Sequence, residues 1–573
     1  MDSKETSSLA ERLRMQVLAG TIGATGLAYS YQFTSFLHTK DVALAVGVML
    51  LAVISLRGGW GLTAAARHFW PLVGMVVWGW AVLGYRQGGI SFPPSEWISI
   101  ALVIVFAFFA YGCMRSEAAR WQARSAIVIT GVLSALLGIG QYFGALDVLF
   151  PRFSDASGVY SVFGNAGLLG GYLAIAMPLA IAHYLAAARL RPHYLAAITV
   201  LAFGLLLTGA RSAWIACAVG MILVIATAHR NRGRLMILML VLGSTSAIAA
   251  MLAPTAVIGR ASQLFSGSDS GAGLRWWFWS GAWEMIQAHP IVGHGIGQYD
   301  AGAGRYLGEV LWRENGEQFT HNTLFTEHPH NELLYLWVEC GIIGLLLAGC
   351  FFMKLLRCRG AEWGGLAALA VFAMLNATIQ SAAHMTAGVV LLVCLFSRNR
   401  EEGIAKVDPV PVRLAGAIVG AGLAVSTILT VALPSYALRN AQDLHIDGVD
   451  PMSAYENAMR LRRDFPEAHE GYGIALMDAG RFGDAAVAFE TALRDRDTGA
   501  LYFGLAVSQL KAGKREEAYA ALQECVLRWP SRVDVWRFLI EVAPDKERDT
   551  WILKAERFLS DEELATIRTV RAE

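Results

Sequence analysis

The sequence predicts an all-α membrane protein, a polytopic helical bundle followed by a C-terminal domain of repeated helical hairpins. Three observations predict this class. The 573 residues are 55% hydrophobic and only 16% charged, and the mean hydropathy of +0.45 is too high for an ordinary soluble chain. Apolar segments long enough to cross hydrocarbon, about 17–25 residues, recur twelve to thirteen times before residue 433. Beyond residue 440 the composition turns charged and alanine-rich, and a helical pattern repeats at an offset of 33.

The spans lie near 17–36, 41–56, 69–85, 97–114, 125–146, 168–188, 193–210, 212–228, 234–253, 333–356, 361–382, 384–397 and 413–433. Charge asymmetry orients them, because basic residues stay on the cytoplasmic side. With a cytoplasmic N-terminus, the inner segments carry Arg57 and Arg67, then Arg115, Arg120 and Arg124, then Arg189 and Arg191, then Lys354, Arg357 and Arg359. The short outer loops offer only Lys40, Arg86, Arg152 and Arg211. The first span lacks a cleavage-like polar exit and reads as a retained anchor. Within a membrane domain at 1–433, segment 254–332 becomes one large external loop, rich in Gly, Ser and aromatics, and the odd thirteenth span places 440–573 outside as well. The net charge of +1 averages two sides of a membrane and gives no support for a nucleic-acid partner. Six of the seven cysteines lie in or beside spans, so they form no disulfide framework.

In the C-terminal domain, EGYGIALMDAGRFGDAAVAFETAL aligns with FGLAVSQLKAGKREEAYAALQECV, pairing Gly480 with Gly513, Ala485 with Ala518 and Ala492 with Cys525. Pro530 closes the second unit. This resembles the tetratricopeptide repeat, with a partial unit near 454–466 and a closing helix near 545–570. Such repeats bind a protein or peptide partner, or serve as a rigid cap.

Chemistry concentrates in Glu327–Gly344, EHPHNELLYLWVECGIIG, where titratable residues run without a break into a membrane-length helix. Asn331 is expected to cap that helix, with Glu332 in its first turn. The helix terminus favours an anion such as phosphate and disfavours an imidazolium, so His330 reads as a neutral proton acceptor. Asn331, Tyr335 and Glu339 fall at i, i+4 and i+8 on one inward-facing polar stripe, with Glu339 an ionisable residue at membrane depth. Three arginines sit where the positive-inside rule disfavours them: Arg211 in a short outer turn, and Arg260 and Arg275 flanking GSDSGAG in the large loop. Guanidinium groups hold phosphate oxygens in a bidentate fork at every relevant pH. Trp276, Trp277, Phe278, Trp279 and Trp283 follow, suited to anchoring at the interface or to stacking on sugar rings. AHPIVGHGIGQYDAG then supplies a glycine-rich turn with His289 and His294. His321, Glu327, His328 and His330 lie within ten residues, but their spacing matches no standard zinc motif, and no metal is expected. No G-x-S-x-G elbow appears either.

With these residues in hand, the chain resembles the O-antigen ligase family of bacterial membrane glycosyltransferases, which includes protein O-oligosaccharyltransferases and Wzy-type polymerases. HPHNELLYLWVECGIIG resembles the family's His-Asn followed by Glu and Gly; LLTGARSAWIA resembles its outer arginine turn, SVFGNAGLLGGYLAIAMP its stretch around Asn165, and GLRWWFWSGAWEMIQAHPIVGHGIGQY its large-loop arginine and glycine region. The resemblance implies a GT-C-like bundle in the bacterial inner membrane, with the 254–332 loop and the 440–573 domain in the periplasm. It implies a glycan donor linked to undecaprenyl diphosphate and an acceptor hydroxyl on lipid A-core, on pilin or another protein, or on a growing polymer, with no cofactor. His330 would be the base and Arg211, Arg275 and Arg260 the diphosphate ligands, with Asn331, Glu339, Asn165 and His294 in support. Transfer would invert the anomeric centre. The thirteenth span and the external repeats depart from the twelve-span lipopolysaccharide ligases; external domains are more familiar in the protein-glycosylating branch, but tetratricopeptide extensions also occur on polysaccharide-assembly proteins, so the acceptor stays open. A lipid-linked glycan transporter would instead need several ionisable groups in mid-membrane and an internal repeat among the spans, and a pure scaffold would leave the His330 and Arg211 pattern unexplained.

Overall fold

The computed structural model describes residues 3–57, 60–88, 95–146, 158–227, 232–265, 270–313, 316, 319, 326–398 and 408–569. It is 80% helical, with no strand among the described residues. In chain order the helices are α1 (Ser3–Leu27), α2 (Phe36–Ser55), α3 (Leu62–Arg86), α4 (Ser95–Cys113), α5 (Glu117–Tyr142), α6 (Ala166–Ala186), α7 (Pro192–Leu207), α8 (Arg211–Thr227) and α9 (Arg232–Leu252). Then come α10 (Arg260–Phe265), α11 (Ser270–Ala288), α12 (Gln298–Leu311), α13 (Glu332–Leu355), α14 (Glu362–Ala373), α15 (Ala382–Arg398) and α16 (Val410–Thr427). Nine more, α17 (Leu433–Ile446), α18 (Met452–Leu461), α19 (Pro466–Asp478), α20 (Phe482–Ala492), α21 (Gly499–Lys511), α22 (Arg515–Arg528), α23 (Val533–Val542), α24 (Asp545–Ala555) and α25 (Asp561–Thr569), complete the chain.

Each of the thirteen expected spans overlaps a helix, although the first, 17–36, meets only the latter part of α1, which ends at Leu27. Among the described residues, six helices are long and apolar enough to cross a membrane: Phe36–Ser55, Glu117–Tyr142, Ala166–Ala186, Arg232–Leu252, Glu332–Leu355 and Val410–Ile446. Five shorter apolar helices, among them Pro192–Leu207 and Glu362–Ala373, coincide with further expected spans. The chain is therefore a multi-pass membrane protein. The expected 361–382 span is cut short, since α14 ends at Ala373 and residues 374–381 turn away from helix.

The chain divides into two compact units, one built from residues 1–78, 94–269 and 345–432, the other from 79–93, 270–344 and 433–573. In the first, small residues bring helices close, as membrane bundles require. A Cβ on Gly220 of α8 would stand 2.5 Å from the Gly364 carbonyl of α14, and one on Gly171 of α6 would stand 2.2 Å from the Phe372 ring. Lys40, expected in an outer loop, instead lies buried within α2. Its ammonium donates to the Gly26 and Ala28 carbonyls at 3.0 and 3.2 Å, satisfying the end of α1, and rests 4.3 Å from the Phe163 ring centre. Arg152 lies outside the described residues.

In the second unit, the segment expected as a loop is largely helical. Trp277, Phe278, Ala282, Met285 and Ile286 form the buried stripe of α11, spaced as a one-sided helix demands. Trp276 and Trp283 are exposed, so the aromatic run is divided between core and surface. Residues 433–569 fold as successive helical hairpins. Gly480 and Gly513, both left-handed at φ 73° and 78°, end α19 and α21 alike. In each, the next N–H returns to a carbonyl five residues back, Arg481 to Leu476 at 2.8 Å and Lys514 to Gln509 at 2.9 Å. Ala485 and Ala518, and likewise Ala492 and Cys525, are fully buried in equivalent places.

Candidate active site

The helix at the heart of the sequence argument is not continuous. Gly341 of α13 takes φ 64° and ψ −170°, which breaks the helix after Cys340. The freed backbone groups are satisfied by residues 290–295, as buried backbone requires. Ile342 N–H donates to the Pro290 carbonyl at 3.0 Å, and the Val338 and Glu339 carbonyls accept from His294 and Gly295 at 2.7 and 2.9 Å. This approach explains the glycines: a Cβ on Gly341 would lie 2.2 Å from the Ile291 carbonyl oxygen, and one on Gly293 2.5 Å from that of Glu339. An unbroken apolar run conceals such a break, because only contacts distant in sequence create it.

Glu339 is fully buried. Its carboxylate accepts from Gly297 N–H and, at 2.8 Å, from Tyr299 N–H. These are orphan donors at the start of α12, so Glu339 caps a neighbouring helix. Its inward-facing position agrees with the sequence, and the group it serves is backbone. His294 is likewise engaged, with Nε2 donating to the Met285 carbonyl at 2.8 Å. Burial lowers its pKa to about 4, with the charges of His289 and Arg86 adding to the effect.

At the head of α13, Asn331 Oδ1 accepts from Leu333 and Leu334 N–H at 3.0 and 3.1 Å, the expected cap. His330, just before it, is left-handed at φ 53°. Outside glycine this conformation costs roughly 1–2 kcal/mol and is typical of residues held for a purpose. What holds it is His328, whose Nδ1 accepts the His330 N–H at 2.9 Å. That bond leaves the ring proton on Nε2, which donates to buried Glu332 at 3.2 Å. Both His328 nitrogens are thereby occupied. The His330 ring stacks on Phe278 of α11, centres 5.7 Å apart at 23°. Burial lowers the His330 pKa to about 4, helped by the neighbouring His328 and Arg275, while Glu332 opposes the shift. The neutral imidazole anticipated from the helix terminus is thus present, with burial as its principal cause.

His330, Asn331, Arg275, Glu339 and His294 all belong to the second unit, and the charge of Arg275 is felt at His330. Arg211, Arg260 and Asn165 belong to the first. There, Thr208-Gly209-Ala210 forms the turn before Arg211, the first residue of α8. The Arg260 side chain lies over that turn, 3.3 Å from where a Gly209 Cβ would be. Asn165 caps α6, its Oδ1 accepting from Gly167 and Leu168 N–H at 2.7 and 3.3 Å. Asn376, marked by no sequence pattern, donates to Ser212 Oγ at 3.1 Å. His328 and Glu332 were legible as an i, i+4 pair, yet their role in orienting His330 depends on backbone geometry. His321 and residues 267–269 of GSDSGAG lie outside the described residues. Among the described residues no three His, Cys, Asp or Glu side chains converge as a metal site.

Comparison with known families places this geometry in a chemical context. Residues 195–349 match the family described as O-antigen ligase. The match runs from α7 through the break in α13, covering Arg211, Arg260, Arg275, His294, His330, Asn331 and Glu339. It supports that family and points to a membrane enzyme of the glycan ligase or polymerase kind. No curated protein matches the chain.

Proposed function

We propose that this protein is a membrane glycosyltransferase that moves a glycan from undecaprenyl diphosphate to an acceptor hydroxyl on the periplasmic face of the bacterial inner membrane. The observation that carries the reading is His330, a neutral imidazole in a strained turn, locked through His328 and stacked on Phe278 beside the charge of Arg275. The acceptor oxygen attacks the anomeric carbon from the face opposite the diphosphate, and its proton passes to the His330 imidazole. The bond from the anomeric carbon to the diphosphate oxygen breaks, and undecaprenyl diphosphate leaves with that electron pair.

A diphosphate is already a good leaving group, so orientation and charge stabilisation supply most of the acceleration. Arg275 is assigned to the diphosphate near His330. Arg211, which follows the Thr208–Ala210 turn, and Arg260, whose side chain lies over that turn, are assigned the same class of ligand. A base with pKa near 4 is weak when the site is empty. A bound diphosphate would offset the cationic field at His330 and raise its proton affinity as the acceptor arrives. Asn331 and Glu339 support the site by fixing the helix ends around it, and Asn165 and His294 by holding local backbone. Residues 440–573 are read as tetratricopeptide-like repeats on the periplasmic side.

The test is transfer by purified full-length protein from a lipid-diphosphate glycan. His330→Ala should reduce it by about 10²-fold or more while insertion and accumulation stay normal; full transfer by that variant would sink the base assignment. Deleting the protein in its host and comparing lipopolysaccharide ladders with pilin mass identifies the acceptor by which of the two loses its glycan.

A further inference from the structure

Arg496 lies in the connection between α20 and α21, far in sequence from His330. Its guanidinium, with the side chain only 12% exposed, meets three carboxylates from three places in the second unit. Glu467 of α19 is 2.7 Å away and Asp300 of α12 3.4 Å, and Glu327 is in direct contact. Glu327 stands three residues before His330, and the intervening His328 holds the His330 N–H. Asp300 stands in the first turn of α12, the helix whose N-terminus Glu339 caps. One guanidinium therefore grips both the segment leading into the His330 turn and the helix packed beside it.

The charge balance shows that this is a strong constraint. Burial opposes the charge on Arg496, yet Asp300, Glu467 and Glu327 outweigh it and raise its pKa. Arg496 is the largest opposing charge at both Asp300 and Glu327, and burial pushes Asp300 up to about 7 despite it. Removing the guanidinium would leave three partly exposed carboxylates facing one another without their shared cation, and their mutual repulsion would separate them. Next to Arg496, Asp497 continues the attachment. Its carboxylate accepts from the Arg305 N–H of α12 at 2.6 Å and from Arg528 Nε at 2.6 Å. A Cβ on Gly304 would lie 1.7 Å from the Asp497 carbonyl oxygen, so α12 lies directly on this loop.

We propose that Arg496 is a positioning residue for transfer: it holds the His330 turn through Glu327 and α12 through Asp300, which makes the C-terminal helices a working part of the site. The proposal rests on the glycosyltransferase reading for its kinetic arm and is independent of it for its structural arm. In the full-length protein, Arg496→Met should lower kcat by about tenfold or more with a smaller change in the donor KM, because a displaced base costs rate more than binding. Arg496→Lys should recover part of kcat, since an ammonium keeps the charge but loses the fork. Arg481→Ala, which removes an exposed pair with Asp484, should leave kcat at the parental value.

The structural arm is hydrogen exchange of 326–335. Arg496→Met should accelerate it about tenfold or more, while α21 to α24 exchange as in the parent, showing that the hairpins remain folded. Glu327→Gln, which cuts one link and leaves the other two, should accelerate the same peptide. Unchanged exchange there in both variants would overturn the proposal, as would parental kcat in Arg496→Met. If the parent transfers no glycan, the functional reading fails while the exchange result still decides whether Arg496 holds the turn.

Discussion

Two helices in this protein begin the same way and differ in one residue. α6 starts from Asn165 and α13 from Asn331, and each asparagine accepts from the N–H groups two and three residues on. Each is preceded by a left-handed residue, Gly164 at φ 69° before α6 and His330 at φ 53° before α13. At Gly164 the conformation is relaxed and the space is full, since a Cβ there would lie 1.8 Å from the Phe36 ring. At His330 the same backbone carries a full side chain, kept in place by His328 and Phe278. The first junction is solved by the residue that fits the geometry. The second carries a side chain that fits the geometry less well, consistent with the proposed use of the His330 imidazole.

The comparison breaks most sharply when the imidazole is replaced by the residue α6 uses. His330→Gly should lose transfer by about 10²-fold or more, like His330→Ala, because neither carries a base. The two should differ in stability: glycine relieves the left-handed strain that alanine keeps, so unfolding midpoints in detergent should favour His330→Gly by roughly 1 kcal/mol. Equal midpoints would mean that the turn stores no strain. The reverse exchange comes next in size. Gly164→Ala should destabilise the protein by roughly 2–3 kcal/mol, since it adds both positive-φ strain and a clash with Phe36. A midpoint at the parental value would show that this junction tolerates a side chain as the other does.

The two junctions also show what a sequence can reveal. Asn331 as a cap, Glu339 as a buried acid and the apolar periodicity of the spans are local patterns, and they were readable. So were the paired glycines at 480 and 513, because a left-handed helix end favours glycine wherever it occurs. The break at Gly341 was not, since residues 290–295 must supply partners for its backbone. Nor was the helical character of 270–311, where a run of aromatics hides a one-sided stripe. Lys40 misled as a loop charge because its task is to close the end of α1. Arg496 was invisible as a partner of Glu327, for no local rule joins residues 169 apart.

The smallest expected effect separates the two caps. Asn331→Ala and Asn165→Ala each remove an oxygen that accepts two N–H bonds, and each should cost about 1 kcal/mol of stability. Their effects on transfer should differ. Loss of the Asn331 cap frees the first turn of α13 and with it the orientation of His330, so kcat should fall severalfold, on the order of 1 kcal/mol in barrier. Loss of the Asn165 cap leaves Gly164 pinned beside Phe36 by packing, and kcat should change less. Asn331→Asp restores a capping oxygen and should restore most of the rate. If instead the two alanine variants lose kcat equally at equal stability, the caps act alike on catalysis, and Asn331 has no special claim through its neighbour His330.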